Sequence, residues 1–383
     1  MRKFVELNKD QKILKVALDV PVNKLFDYIS NDSKIKIGQY VKVPFGNRSL
    51  IGICCEISNK TQIESNKLKT IIHIDSEVIF DTLMLKLLNF VSDYYHHPIG
   101  QTIMSVVPSR IKKNSPSSRK KELLFKANKK LTKEIIENFP KRQLRLKNIA
   151  NAILEENLRQ RDLKKLASNS GECIKKLEQL GLISSEVYIP KTKNAKSIKP
   201  TLNEDQKNVI DCINQCKTFK PWLIHGVTAS GKTEIYINLI TKLLLDKPSQ
   251  VLMLIPEINL TPQLEARFQD RFYDKKIVIL HSYLSNLDRL DNWRDAKAGK
   301  ADIVIGTRLA VFTPMPNLKM IIIDEEHDAS FKQSEGLKYH ARDVAMIRAK
   351  NSNIPIVMGS ATPSLEIWYK AINAQQNFQY FKL

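Results

Sequence analysis

The sequence predicts a multidomain α/β protein, and three observations predict it. Apolar runs at Val251 to Ile255, Ile277 to Leu280, Ile303 to Ile305, Met320 to Ile323 and Ile356 to Met358 alternate with helical segments. That alternation is what a mainly parallel sheet covered on both faces requires. The first hundred or so residues instead carry short β-type runs, and a helical, strongly basic stretch separates the two regions. At 383 residues the chain can bury more than one core. Three domains are expected: a small β-rich domain over 1–113, a winged-helix domain with its linker over 114–200, and an α/β lobe over 201–383.

In the first region, Lys12 to Val20, Tyr40 to Pro44 and Ser49 to Ile57 read as strands, set apart by turn signals at Asn31-Asp32 and Phe45-Gly46-Asn47. Asp81 can cap a helix whose apolar side holds Leu83, Leu85, Leu87, Leu88 and Val91 and which ends before His97-Pro98. Ser115 to Lys121 is polar and aperiodic, and a linker is expected there. Beyond it, Leu144, Ile149, Ile153 and Leu154 suggest one helix, Leu163 and Leu166 a second, and Ile174, Leu177 and Leu180 a third ending at Gly181. A strand over Leu182 to Ile189 would complete a winged-helix pattern, with Lys175 and Lys176 on the recognition helix. A plain helical spacer is the alternative. Lys191 to Pro200 is a basic linker.

The net charge is +21, and between Arg110 and Lys199 there are 24 Lys or Arg against 9 Asp or Glu. Such a stripe fits a phosphate backbone, although a Lys-rich composition can also leave a merely solvated surface. Five scattered cysteines, Cys54, Cys55, Cys173, Cys212 and Cys216, suit buried thiols rather than disulfides. Cys212 and Cys216 lie one helical turn apart with no second pair nearby, so no zinc site is expected. No apolar run approaches bilayer length and no signal-peptide core follows Met1, which argues for a cytoplasmic protein without a membrane partner.

The chemistry is concentrated in three stretches. Gly226-Val227-Thr228-Ala229-Ser230-Gly231-Lys232-Thr233 is a complete G-x-x-x-x-G-K-[ST] loop between an apolar strand and an amphipathic helix. Its backbone N–H groups can cradle a β-phosphate, Lys232 can reach the β and γ oxygens, and the Thr233 hydroxyl can ligate Mg²⁺. ATP and Mg²⁺ are therefore expected. Asp324-Glu325-Glu326-His327 ends a buried strand, where Asp324 would hold Mg²⁺ and Glu325 would polarise the water attacking the γ-phosphate. Gly359-Ser360-Ala361-Thr362-Pro363-Ser364 follows another strand and can sense nucleotide state. These three stretches stand in the order of helicase motifs. Upstream, Leu202, Asp205 and Gln206 resemble an adenine-reading segment, in which the Gln206 amide could make a bidentate contact.

Together with Phe331-Lys332-Gln333, Tyr339-His340-Ala341-Arg342-Asp343, Phe26-Asp27-Tyr28, Val41 to Gly46 and Asp93 to Gly100, these motifs resemble the PriA family of replication restart helicases, across all three expected domains. The resemblance implies a RecA-like lobe and a superfamily 2 DNA helicase that recognises stalled forks and initiates primosome assembly. It implies that the first domain binds the 3′ end of a leading strand through Phe26, Asp27, Gly46 and Lys69. A carboxylate at Asp27 can accept a hydrogen bond from a free 3′-hydroxyl and would repel a 3′-phosphate, whereas Phe26 can either pack on a base or fill the core. The stretch His327 to Asp343 corresponds to the family's aromatic-rich loop, with Lys332, Lys338 and Arg342 placed to meet phosphates and Phe331 and Tyr339 to stack on bases.

The same resemblance implies forked and single-stranded DNA with a free 3′-OH, primosome and helicase-loader proteins and single-stranded DNA-binding protein as partners. It also implies a place at the bacterial nucleoid, and a monomer is the default expectation for the oligomeric state. Two residues depart from the family pattern. Ala229 replaces a glycine, tolerable if φ stays negative there, and Leu337 replaces a tryptophan. Family members continue past the Ser-Ala-Thr motif with a second RecA-like lobe, a zinc module and a C-terminal domain. Without these, the chain is expected to bind ATP and forked DNA but to hydrolyse slowly and unwind poorly. A non-enzymatic fork-binding module and a double-strand DNA translocase are the alternative readings.

Overall fold

The computed structural model describes residues 11–61, 63–64, 67–112, 123–140, 143–159, 163, 170–187, 201–246, 248–259, 261–374 and 377–383. The chain folds as two compact units, residues 1–117 together with 193–383, and residues 118–192. The expected linkers at 115–121 and 191–200 lie outside the described residues, as does Leu166 of the second expected helix.

The larger unit holds two sheets. In the first, β1 (Lys12–Leu18), β2 (Phe26–Ser30), β3 (Gln39–Phe45), β4 (Arg48–Ser58), β5 (Lys69–Thr70) and β6 (His73–Val78) run in the order β5-β2-β1-β4-β3-β6. The pairs are antiparallel except β2 with β5. The β3–β4 hairpin turns at Gly46-Asn47, and Gly46 has φ +58, the first central position at which a type II′ turn favours glycine. The helix Thr82–Tyr94 begins as expected, the Asp81 carboxylate accepting from the Met84 N–H at 2.7 Å. Its buried face, Met84, Leu85, Leu87, Leu88 and Val91, belongs to one core with Trp293, Phe312, Phe331 and Val344 of the lobe. The first domain and the lobe thus share their interior. Arg294 and Lys297 of the lobe also pair with Glu77 at 3.1 and 2.7 Å.

The second sheet is parallel throughout. The smaller unit supplies β7 (Leu123–Ala127), β8 (Leu158–Arg159) and β9 (Ile183–Val187), so the lobe's strands are β10 (Pro221–His225), β11 (Gln250–Leu254), β12 (Ile277–Leu280), β13 (Ile303–Gly306), β14 (Leu318–Asp324), β15 (Ile356–Ser360) and β16 (Gln379–Lys382). Their order is β12-β13-β11-β14-β15-β10-β16. Strands β14, β15 and β10, which carry the three motifs, are immediate neighbours. Because they are parallel, their carboxyl ends open on one edge of the sheet.

In the smaller unit, the antiparallel sheet β8-β7-β9 packs with helices Leu144–Glu155 and Ser170–Gln179 around Phe125, Ile149, Ile153, Ile174 and Leu177. Lys175 and Lys176 are exposed on the second of these helices. Helices thus pack against a small antiparallel sheet that ends in the expected strand, and of the second expected helix only Leu163 is among the described residues.

Candidate active site

The phosphate loop leaves β10 and enters the helix Lys232–Leu243. Gly231, which caps that helix, has φ +89, and a Cβ there would meet the Gln206 amide nitrogen at 2.3 Å. The positive φ is what favours glycine there, since the Gln206 amide is the end of a flexible side chain. The first-turn N–H groups of the helix, which it cannot satisfy internally, point into the cradle with the positive end of the helix dipole. Ala229 adopts φ +66, so the condition under which alanine is tolerated without cost is not met: the loop places a left-handed residue there and this chain meets it with alanine.

Lys232 is buried. Its ammonium donates to the Gly226 and Val227 carbonyls at 2.7 and 3.3 Å and lies 3.5 Å from Glu325 Oε1. The lysine is thus folded into the loop. Glu325 takes φ +47, a strained left-handed conformation that turns its carboxylate back over the loop, where Oε2 accepts from the Ala361 N–H at 3.3 Å. Strain of this kind is characteristic of functional positions.

Asp324 accepts from the Tyr236 hydroxyl at 3.1 Å. Burial, then the neighbouring Glu325 carboxylate, push its carboxyl up to about 6. The Tyr236 hydroxyl is raised too, by burial and by Asp324. Hard carboxylate and hydroxyl oxygens at Asp324 and Thr233, with carboxylates short of positive charge, fit Mg²⁺. Among the described residues no group of three or more His, Cys, Asp or Glu is arranged to hold a metal by itself.

Gln206 is already engaged. Its Oε1 accepts from the Asn203 N–H at 3.0 Å in a capping box, and its Nε2 donates to the Ser230 carbonyl at 3.0 Å. An adenine contact at this amide has to exchange those bonds.

A second layer of residues connects the motifs. Ser360 Oγ and His327 Nδ1 share a hydrogen bond of 2.7 Å. Glu326, with 0% exposure, accepts from Arg342 Nη1 at 3.0 Å, from the Ser364 N–H at 2.6 Å and from Ser364 Oγ at 2.9 Å. Burial opposes the Arg342 charge, but Asp343 and Glu326 beside it raise its pKa above the ordinary arginine value. At 7% exposure the Arg342 guanidinium is engaged by Glu326, Asp343 and Ser364, bonds that the expected phosphate contact would have to exchange. Phe331 and Tyr339, expected to stack on bases, are core residues at 0% and 4% exposure. Lys332 and Lys338 remain exposed, flanking a hairpin closed by the Lys332–His340 bridge. Glu326 and Tyr236 carry no expected role in the sequence, and Ser364 was expected only as part of the turn that senses nucleotide state. Glu326 and Ser364 had a signal there, their places inside the acidic motif and the Ser-Ala-Thr stretch.

Of the first-domain residues, Phe26 and Asp27 lie on β2 and Lys69 on its neighbour β5, whereas Gly46 turns the hairpin between β3 and β4. Phe26 is half-buried, edge-on to Phe45 at 5.3 Å, with the Lys24 ammonium 5.1 Å from its ring. Asp27 accepts from the Thr61 hydroxyl at 2.5 Å, leaving its other oxygen for a ligand. Lys69 pairs with Tyr28 across β5 and β2, and Gly46 turns the hairpin that begins at Phe45. Phe26, Asp27 and Lys69 thus share the β2 side of the sheet. Thr61 was not legible, since nothing in the sequence links it to Asp27.

A phosphate loop, an acidic strand end and a Ser-Ala-Thr turn on neighbouring parallel strands define a P-loop motor lobe of the helicase type. Residues 203–368 match the DEAD/DEAH box helicase family and residues 15–108 match the 3′DNA-binding domain of PriA. With both domains in one chain, it belongs to the family of replication restart proteins PriA. The Haemophilus influenzae replication restart protein PriA is 37% identical over 96% of this chain and 51% of its own length. The Synechocystis protein of the same name is 43% identical over 56% of this chain and 26% of its own. The chain spans about half the length of the first curated relatives it matches. Among solved structures, RecG bound to a three-way DNA junction is 20% identical with a TM-score of 0.38, covering 49% of this chain and 25% of that one.

Proposed function

We propose that this chain binds Mg²⁺-ATP and forked DNA and serves an ATP-dependent 3′ to 5′ DNA helicase that restarts replication at stalled forks. The observation that carries the proposal is that a 3′-DNA-binding domain and a helicase-type phosphate loop share one core. Bound Mg²⁺-ATP supplies the phosphoryl group transferred to water. Lys232 moves its ammonium from the loop carbonyls onto the phosphate oxygens. Thr233 and Asp324 hold the cation side, and Glu325 accepts the proton of the attacking water on its carboxylate. Through the His327–Ser360 bond the acidic strand end passes its state to the turn after β15.

Asp27 takes the 3′-hydroxyl, Phe26 packs on the terminal nucleotide, and Lys69 and the Gly46 turn border it. Lys332 and Lys338 meet phosphates of the single strand. By relationship the proposal extends to primosome and helicase-loader proteins and single-stranded DNA-binding protein as partners, in the bacterial cytoplasm. Among the described residues no helix is long and apolar enough to cross a membrane.

The test compares forks ending in a 3′-hydroxyl or a 3′-phosphate at the leading strand, measuring affinity and ATP hydrolysis. Tighter binding of the hydroxyl fork together with fork-stimulated hydrolysis is expected. Tight hydroxyl-selective binding with no turnover would instead mark a recruitment module, and equal affinity for both ends a double-strand translocase.

A further inference from the structure

The helix Thr82–Tyr94 presents an aromatic ladder to solvent. Lys86, Phe90 and Tyr94 recur at every fourth position and therefore share one helix face. The Phe90 and Tyr94 rings are stacked, with centroids 5.4 Å apart and planes at 18°, and Tyr95 meets Tyr94 edge-on at 4.9 Å. Phe90 is half-buried, whereas Tyr94 is 64% exposed. Tyr94 is thus held in place by aromatic neighbours while much of its own surface meets water, an arrangement that leaves stacking area uncovered.

The ladder stands at the seam with the lobe. The Tyr95 hydroxyl accepts from the His340 N–H at 3.2 Å, and His340 forms the bridge with Lys332 that closes the hairpin. Lys86, Lys332 and Lys338 are exposed there, and so are Asp93 and Asp343. The carboxylates offset part of the cationic field, so electrostatics alone does not make this a site. An exposed, pre-ordered ring among lysines on a chain of net charge +21 is the combination that binds unpaired bases: a cation for the backbone and a π-face for the base.

We propose that Tyr94, backed by Phe90 and Tyr95, is a stacking platform for an unpaired base of single-stranded nucleic acid. It is a different set of residues from the 3′-end residues on β2 and β3. The proposal rests on the DNA-binding reading above and adds a contact to it. Through Tyr95 and His340, a base seated on Tyr94 bears on the hairpin whose far side leads to Arg342 and Glu326.

The test uses the full chain and a fluorescent oligothymidylate ending in a 3′-phosphate, which keeps 3′-hydroxyl recognition out of the measurement. Tyr94→Ala is expected to weaken binding about tenfold and Tyr94→Phe by less than about twofold, because the ring and not the hydroxyl stacks. Tyr94 is exposed, so neither change threatens the fold. Illumination of a strand carrying 5-iododeoxyuridine is expected to attach it to Tyr94, read by peptide mass spectrometry. Parental binding with an unaffected Ala variant, an equal loss in both variants, or adducts only elsewhere each overturn the platform while leaving the DNA-binding reading standing. A parent chain that binds neither this strand nor a 3′-hydroxyl fork overturns both.

Discussion

In the motor lobe the site side chains are buried and cross-linked: Lys232, Glu326, Arg342 and Ser360 lie inside, each with named partners. In the first domain Phe26, Asp27 and Phe45 are half-buried, Gly46 and Lys69 are exposed, and one side-chain hydrogen bond, Thr61 to Asp27, orders the group. The difference follows from the task. Developing charge on a transferred phosphoryl group is stabilised best by donors fixed in advance in a water-poor site. A DNA end arrives already formed and has only to be recognised, which needs access and a small number of directional bonds.

The comparison predicts the largest effect at Lys232. Lys232→Ala removes a buried cationic side chain from the phosphate cradle, and fork-stimulated hydrolysis should fall by about 10³-fold or more, the scale on which such clamps act. Fork affinity measured without nucleotide should hardly move. Hydrolysis surviving in this variant would show that the lobe is not organised around its phosphate loop.

Next in size is Arg342→Ala. It strands Glu326 as an unpaired carboxylate in the core, and breaking such a pair costs about 3 kcal/mol of stability, measurable by denaturant unfolding of the larger unit. A double change to Glu326→Gln with Arg342→Met should recover much of that loss, since no buried charge is left behind. If Arg342→Ala leaves stability intact but removes DNA binding, the arginine faces the strand after all.

Asp27→Asn should reduce the preference for 3′-hydroxyl over 3′-phosphate forks by about tenfold, by turning an acceptor into a weaker one and removing the repulsion. ATP affinity should stay as it is. A preference unchanged in this variant would move end recognition elsewhere on the sheet.

How much of this could be read in advance divides along the same line. The phosphate loop, the acidic strand end and the Ser-Ala-Thr turn are contiguous in sequence, and each sits at the end of an apolar run, so both the residues and their convergence were legible. The first sheet was half legible. Strands β1, β3 and β4 are long and patterned, but β2, β5 and β6 are short or polar and owe their pairing to tertiary contacts. The loop after Asp324 misled because aromatics beside lysines look like a stacking surface, and only burial reveals Phe331 and Tyr339 as core. The engagement of Arg342 was hidden for a related reason: its partner Glu326 lies sixteen residues upstream, and nothing local announces the pair.

The smallest predicted effect is a reciprocal pair that asks where strain is held. Ala229 in the phosphate loop sits at φ +66, and Gly46 in the first-domain hairpin at φ +58. An L-residue in that region costs about 1–2 kcal/mol, while glycine loses about 0.5–1 kcal/mol of extra unfolded-state freedom. Ala229→Gly should therefore stabilise the chain by about 0.5–1 kcal/mol. Gly46→Ala should destabilise it by a similar amount, and the backbone alone accounts for this, because a Cβ at Gly46 meets nothing within 4 Å. Chemical denaturation of the two variants measures both. Opposite signs mean that strain is carried in the phosphate loop and avoided in the hairpin turn proposed to border a DNA end. A destabilised Ala229→Gly would mean instead that the alanine methyl contributes packing that outweighs its backbone cost, and that the loop is relaxed as it stands.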